Sequence, residues 1–110
     1  MKKKAIIISL SGFKLTKNEK KLFKNYLPWG VILFSRNIKN YLQLKKLIFS
    51  IKKITKDKRY PILIDEEGGS VSRLYRIIDN DLYSQKYFGN IFKINHNIGL
   101  SLYKKYSDKI

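Results

Sequence analysis

An acidic turn followed by two glycines is the part of the sequence best suited to chemistry, since Asp65-Glu66-Glu67 runs directly into Gly68-Gly69. Each carboxylate offers two acceptor oxygens, which suits it to hold a pair of neighbouring sugar hydroxyl groups. The glycines allow the backbone to turn sharply or to approach a ligand closely. Arg73 can offer a forked hydrogen-bond donor to the same ligand. These residue types predict a binding site centred on Asp65.

A solvated turn is the alternative for this stretch, because the chain has 8 acidic and 24 basic residues and its carboxylates can balance nearby lysines. The position of the turn in the sequence favours a binding site over a solvated turn. It directly follows an apolar run, and ligands of parallel α/β proteins lie at the carboxyl ends of strands. Arg36 and Asn37 follow a second apolar run. We expect both to support the site structurally, with Arg36 neutralising Glu66 or Glu67 between neighbouring strands.

Other kinds of site have little support in the sequence. His96 is the only histidine, and its place on the polar side of a predicted helix indicates a surface residue. The absence of cysteine excludes disulfides and thiolate metal sites, and no phosphate-binding glycine loop occurs. We therefore expect no cofactor and no metal. A metal-assisted activity through Asp65 and Glu67, in an independent α/β domain, is an alternative.

Three short apolar runs predict the strands that position these residues. They are rich in Ile, Val and Leu, too short for helices, and without alternation of polar and apolar residues. Strands of a parallel sheet have this character because both of their faces are buried. The predicted strands are residues 5–10, 31–34 and 61–64.

Helical patterns fill the gaps between the strands. The first helix begins at a capping box formed by Thr16 and Glu19 and ends before Pro28. The second has apolar residues at helical spacing over 44–54, and a third is predicted around 90–106, weakened by Gly99. The order βαβαβ followed by a helix predicts an α/β fold with a parallel sheet.

A formal net charge of +16 is the most conspicuous bulk property. It is typical of proteins that bind nucleic acid or anionic membranes. The lysines are scattered along the predicted outer faces of helices, however, which favours a compositional origin. No apolar run approaches the ~18–20 residues that span a bilayer, and no signal-peptide cleavage pattern follows the first lysines. We expect a cytoplasmic protein, with a small basic nucleic-acid-binding protein as the alternative function.

Two motifs resemble the start of the bacterial β-N-acetylhexosaminidases of glycoside hydrolase family 3. They are Gly30-Val31-Ile32-Leu33-Phe34-Ser35-Arg36-Asn37 and, after a helix, Asp65-Glu66-Glu67-Gly68-Gly69. The family pattern is G-x-I-L-F-x-R-N, then D-Q-E-G-G-R-V-x-R. The resemblance implies that Asp65 and Arg73 line the site for an N-acetylglucosamine unit. Glu66 stands where the family has Gln, and Ser70 where it has Arg.

The resemblance also implies a fold and an activity. Residues 1–110 correspond to the first three βα units of a (β/α)₈ barrel, which needs ~250 residues in all. Family members release terminal β-N-acetylglucosamine, in the recycling of peptidoglycan in the cytoplasm. Their nucleophile and acid/base residues lie further along the chain, so we expect no catalytic residue here and an inactive N-terminal fragment. A complementary C-terminal fragment is then a possible partner.

Three βα units alone leave the inner face of the sheet and its edge strands uncovered. We therefore expect the isolated chain to be marginally stable or prone to aggregation.

Overall fold

The structure, a computed structural model, describes residues 2–66, 72–77 and 85–109, the last range without the side chains of its two end residues. The chain divides into two compact units, Met1–Asp65 and Glu66–Ile110. None of the helices in the described ranges is both long and apolar enough to cross a bilayer.

The first unit is a three-stranded parallel sheet with two connecting helices. The strands are adjacent in the order β1-β2-β3, which confirms the predicted parallel α/β arrangement. In chain order the elements are β1 (Lys4–Ser9), α1 (Lys17–Asn25), β2 (Pro28–Leu33), a 3-10 helix (Ser35–Asn37), α2 (Tyr41–Thr55) and β3 (Ile62–Ile64).

The register of the strands determines which side chains share a face. Ile8 pairs with Val31, and Val31 with Ile62, so these three side chains lie on one face. The buried core forms where this face packs against the helices. Its members are Leu10, Phe23, Val31, Leu33, Leu47, Ile51 and Tyr60.

The opposite face of the sheet departs from the prediction that every strand would be buried on both sides. Ile7 is 46% exposed and Leu63 is 39% exposed. In β1 every residue but one is exposed, so the expectation for this strand is wrong. An apolar run rich in Ile and Val indicates a strand, but it does not indicate how many faces of the strand are covered. Here α1 and α2 pack on one face of the sheet only.

Gly30 allows β2 and the chain before β3 to approach closely. A Cβ atom on Gly30 would lie 3.0 Å from the carbonyl oxygen of Pro61 and 3.1 Å from its Cβ atom. The same carbonyl accepts a hydrogen bond from the amide of Val31 at 3.0 Å. β3 begins at Ile62, one residue later than predicted. Pro61 has no amide hydrogen to donate and contributes its carbonyl oxygen to the sheet instead.

The second unit contains two helices where the sequence predicted one. α3 (Gln85–Ile94) and α4 (His96–Lys109) are separated at Asn95. The side-chain oxygen of Asn95 accepts from the amide of Ile98 at 3.1 Å, so this residue caps α4. Gly99, which was expected to weaken the predicted helix, lies within α4. A Cβ atom there would lie 3.0 Å from the Phe92 ring, so glycine is what permits α3 and α4 to approach closely.

Candidate functional site

Asn37 is the polar centre of the edge of the sheet at which β1 and β2 end. Its side chain is fully buried. The amide nitrogen donates to the carbonyl oxygens of Leu10 at 3.0 Å and Gly12 at 2.8 Å. The amide oxygen accepts from the backbone of Phe34 at 3.0 Å. One side chain thus fixes the segment after β1 to the segment after β2.

Arg36 contributes to the same connection from the surface. Its Nε donates to the carbonyl oxygen of Leu10 at 2.8 Å, and its guanidinium carbon lies 5.0 Å from the centre of the Phe34 ring. Arg36 and Asn37 were predicted to support the site structurally, and that role stays a prediction; their described contacts join the segment after β1 to the segment after β2. The pairing of Arg36 with Glu66 or Glu67 stays a prediction, because Glu67 lies outside the described residues and no contact of Arg36 with Glu66 is described.

Gln43 is a member of this network that sequence reasoning missed. Its side-chain nitrogen donates to the carbonyl oxygens of Phe13 at 2.8 Å and Asn37 at 2.9 Å, and its oxygen accepts from the backbone of Lys39 at 2.7 Å. The signal was available as Asn40-x-x-Gln43. An Asn followed three residues later by Gln is a capping pattern, and Asn40 does accept from the backbone of Gln43 at 2.9 Å.

Glu19 holds the loop between β1 and α1. The predicted capping box is confirmed: the backbone of Glu19 donates to Thr16 Oγ1 at 3.1 Å, and one Glu19 oxygen accepts from the backbone of Thr16 at 2.8 Å. The other oxygen accepts from the backbone of Ser11 at 2.8 Å. Partial burial acts to raise the pKa of Glu19, but the hydrogen bonds from Thr16 and Ser11 outweigh it, and the pKa is lowered.

We expect Glu19→Gln to lower the free energy of unfolding at neutral pH by about 1 kcal/mol, a figure discounted for solvent screening. A lowered folded-state pKa means that the ionised carboxylate stabilises the fold above the ordinary pKa of 4.5. This contribution is lost as the pH falls through the lowered value. Urea unfolding at a series of pH values should show the two proteins converge below pH ~4. Equal loss at all pH values, or no difference from Asp108→Asn, would contradict this assignment.

Asp65 directly follows β3 and ends the first unit. Leu33 and Ile64 are register partners, so the chain leaves β2 and β3 at the same edge, as it does after β1. Asp65 therefore lies at the edge that Asn37 organises. Its side chain is half-buried. This is the predicted position, at the carboxyl end of a parallel strand.

Glu66 organises the backbone of the second unit. One of its oxygens accepts from the backbone amides of Arg73 and Leu74, both at 2.9 Å, and from the Ser72 hydroxyl at 3.2 Å. This carboxylate thus joins residue 66 to the backbone of residues 72–74. The described contacts give Glu66 a structural role.

Of the remaining predicted site residues, the structure describes Arg73 but not the three residues 67–69. Arg73 is half-buried in the second unit, and its role toward a ligand stays a prediction. Glu67, Gly68 and Gly69 lie outside the described residues. Within the described ranges no group of three or more His, Cys, Asp or Glu side chains could hold a metal ion.

A parallel sheet with a polar network and an acidic residue at the carboxyl ends of its strands has the arrangement over which α/β proteins generally bind their ligands. Comparison with known proteins narrows the class of protein. The chain is 41% identical over 68 residues to a β-hexosaminidase of Glaesserella parasuis, covering 62% of this chain and 20% of that protein. No protein-family profile matches the chain.

Solved structures agree with the sequence comparison. NagZ from Neisseria gonorrhoeae, in complex with N-trifluoroacetyl-D-glucosamine, superposes with a TM-score of 0.58 at 35% identity, over 69% of this chain and 22% of that one. A fungal multi-domain GH3 β-N-acetylglucosaminidase superposes with a TM-score of 0.57 at 34% identity, over 63% and 9%. The resemblance to the N-terminal part of the family-three β-N-acetylhexosaminidases is therefore confirmed. The chain spans about a fifth of the length of the curated relatives that it matches.

Proposed function

We propose that this chain supplies the N-terminal, sugar-binding part of a β-N-acetylhexosaminidase of glycoside hydrolase family 3. The observation that carries the proposal is the agreement of sequence and structure over the same region. Relatives named β-hexosaminidase match about three-fifths of the chain. In the described residues the chain has a parallel sheet with Asp65 at the end of β3.

Asp65 is the residue proposed to hold the sugar. A half-buried carboxylate has two acceptor oxygens and a reduced solvent shell, so it can accept from two adjacent hydroxyl groups. Arg73 is proposed to line the same site, with Glu67, Gly68 and Gly69 shaping the turn between them. Asn37 and Arg36 support the site indirectly, because they hold the neighbouring strand ends in place.

The fold proposed for the whole enzyme is a (β/α)₈ barrel, of which this chain forms the first three βα units. The exposed inner face of the sheet supports this proposal. In a barrel, side chains from the opposite strands fill the interior, and Ile7 and Leu63 would then become buried. The free side of β1 would pair with a further strand, which removes an exposed edge.

Hydrolysis requires more than the groups described here. A retaining glycosidase needs a nucleophile and an acid/base group on two sides of one glycosidic bond. Asp65 and Glu66 follow one strand, and Glu66 is occupied by three donors. We propose that the catalytic pair comes from the part of the enzyme that this chain does not match, as a complementary C-terminal part. The proposed setting is cytoplasmic recycling of peptidoglycan-derived amino sugars.

Asp65→Asn is expected to weaken binding of N-trifluoroacetyl-D-glucosamine by the chain about tenfold or more, because a charged acceptor is replaced by a neutral amide. The fluorine atoms allow line broadening to be followed by ¹⁹F NMR during titration. Asp108→Asn removes the same charge from an exposed position on α4 and should leave binding unchanged. Equal binding by wild type and Asp65→Asn would remove Asp65 from the proposed site.

A further inference from the structure

A groove in the first unit is lined by α2 and by the loop between β1 and α1. Its volume is about 580 Å³, within the range of small-molecule sites in proteins. None of the residues proposed to bind the amino sugar lines it. The groove is therefore a separate concave surface, and its own side chains must explain what it binds.

Four lysines line the groove and no acidic residue does. They are Lys14, Lys20, Lys39 and Lys46. Within the described part of the chain no carboxylate forms an ion pair with any of them. Four cations that converge on one concave surface without counter-charges create a positive potential there. This potential favours an anionic ligand.

The acidic residue nearest in sequence to these lysines forms no ion pair with them in the described part of the chain. Glu19 precedes Lys20, but both of its oxygens accept backbone hydrogen bonds, from Ser11 and Thr16. The side-chain amide of Gln43 is occupied by the backbone of Phe13, Asn37 and Lys39, and the side-chain oxygen of Asn40 accepts from the backbone of Gln43. The four ammonium groups are therefore the charged groups of the lining that can meet a ligand.

Apolar side chains supply the rest of the lining. Phe13 is 40% exposed and Leu42 is 68% exposed, while Leu47 forms the buried end of the surface. Apolar surface exposed beside uncompensated cations fits a ligand that has both properties. A bare inorganic anion would leave this apolar surface in water.

We propose that the groove binds an organic anion, with an aromatic or aliphatic body against Phe13 and Leu42 and a carboxylate, sulfonate or phosphate group among the lysines. The lysines bind the charged group through charge-assisted hydrogen bonds. The apolar body contributes by leaving water. This site is independent of the proposed sugar site, so the two proposals stand or fall separately.

Fluorescence of 1-anilinonaphthalene-8-sulfonate provides the test, with N-phenyl-1-naphthylamine as the uncharged counterpart. The double variant Lys39→Ala/Lys46→Ala is expected to raise the Kd of the sulfonate about three- to tenfold, because it removes two exposed charge contacts. The Kd of the neutral dye should not change. Lys45→Ala/Lys53→Ala is the matched control, since it removes the same charge from exposed α2 positions outside the groove. Its Kd should stay within twofold.

Each other outcome overturns the proposal. An equal effect of both double variants would mean general attraction to a basic protein. Equal affinity for both dyes would mean binding to exposed apolar surface such as Ile7. The groove would instead be a nucleic-acid surface if a single-stranded oligonucleotide bound more tightly than the dye and its affinity fell steeply as salt was added. Lys39→Gln/Lys46→Gln repeats the test with polar side chains if the alanine variant loses its far-UV circular dichroism.

Discussion

Asn37→Ala is expected to lower the free energy of unfolding by about 2–4 kcal/mol, because it removes the three hydrogen bonds of a fully buried side chain. The carbonyl of Gly12 and the amide of Phe34 each lose the hydrogen bond described here, while the carbonyl of Leu10 keeps Arg36. Stability of a domain this size is typically ~5–15 kcal/mol, so the loss is a large part of the total. Urea denaturation followed by circular dichroism measures it.

Two further variants separate the hydrogen bonds from the volume of the side chain. Asn37→Asp keeps the size but turns a donor into a carboxylate oxygen facing two carbonyl oxygens, so we expect a loss at least as large. That deficit should shrink as the pH falls, because protonation restores one donor. Asn18→Ala, at an exposed position on α1, should change stability by less than about 0.5 kcal/mol. Similar losses at positions 18 and 37 would contradict the assigned role.

Local features of the sequence predicted the parts of the fold that depend on local interactions. The Thr16–Glu19 capping box requires only residues three apart, and it is present as predicted. The apolar spacing of α2 likewise follows from the period of the helix, with Leu47 and Ile51 buried. Both features could be predicted because their partners are neighbours in the chain.

Features that depend on distant parts of the chain were not predicted. The apolar run of β1 looks the same whether one or both faces are covered, so the exposure of Ile7 could not be inferred from it. One local feature was missed as well: the break at Asn95, because an uninterrupted apolar pattern outweighed one capping residue. Gly99 appeared to weaken the helix, whereas its lack of a side chain is what accommodates Phe92.

In the candidate site too, local features could be predicted and contacts between distant residues could not. Asp65 could be placed from sequence because a strand end is a local feature and parallel strands end at one edge. The two carbonyl groups to which Asn37 donates lie 25 and 27 residues away along the chain, and no local pattern identifies them. The structural role of Glu66 was also hidden, since adjacent carboxylates look alike in the sequence and the donors to Glu66 lie six to eight residues further along the chain.

A chimeric enzyme gives the largest functional effect that we expect. The chain replaces the matched N-terminal region of the Glaesserella parasuis β-hexosaminidase, which supplies the remaining four-fifths. We expect the chimera to hydrolyse a chromogenic N-acetylglucosaminide, and the chain alone to give no rate above buffer. Asp65→Asn should then lower kcat/KM about a hundredfold or more, since two hydrogen bonds to a charged acceptor contribute at least ~3 kcal/mol.

Asp57→Asn is the control for charge and folding in the same chimera. Asp57 forms an ion pair with Lys3 at 2.9 Å on the surface, where such pairs contribute little, so kcat/KM should stay within about twofold. An active chimera that tolerates Asp65→Asn would show that the strand end is not a sugar contact, even though the family relationship stands. Hydrolysis by the chain alone would refute the proposal that the catalytic pair comes from another part of the enzyme, because a single strand end would then supply both carboxylates that the reaction requires.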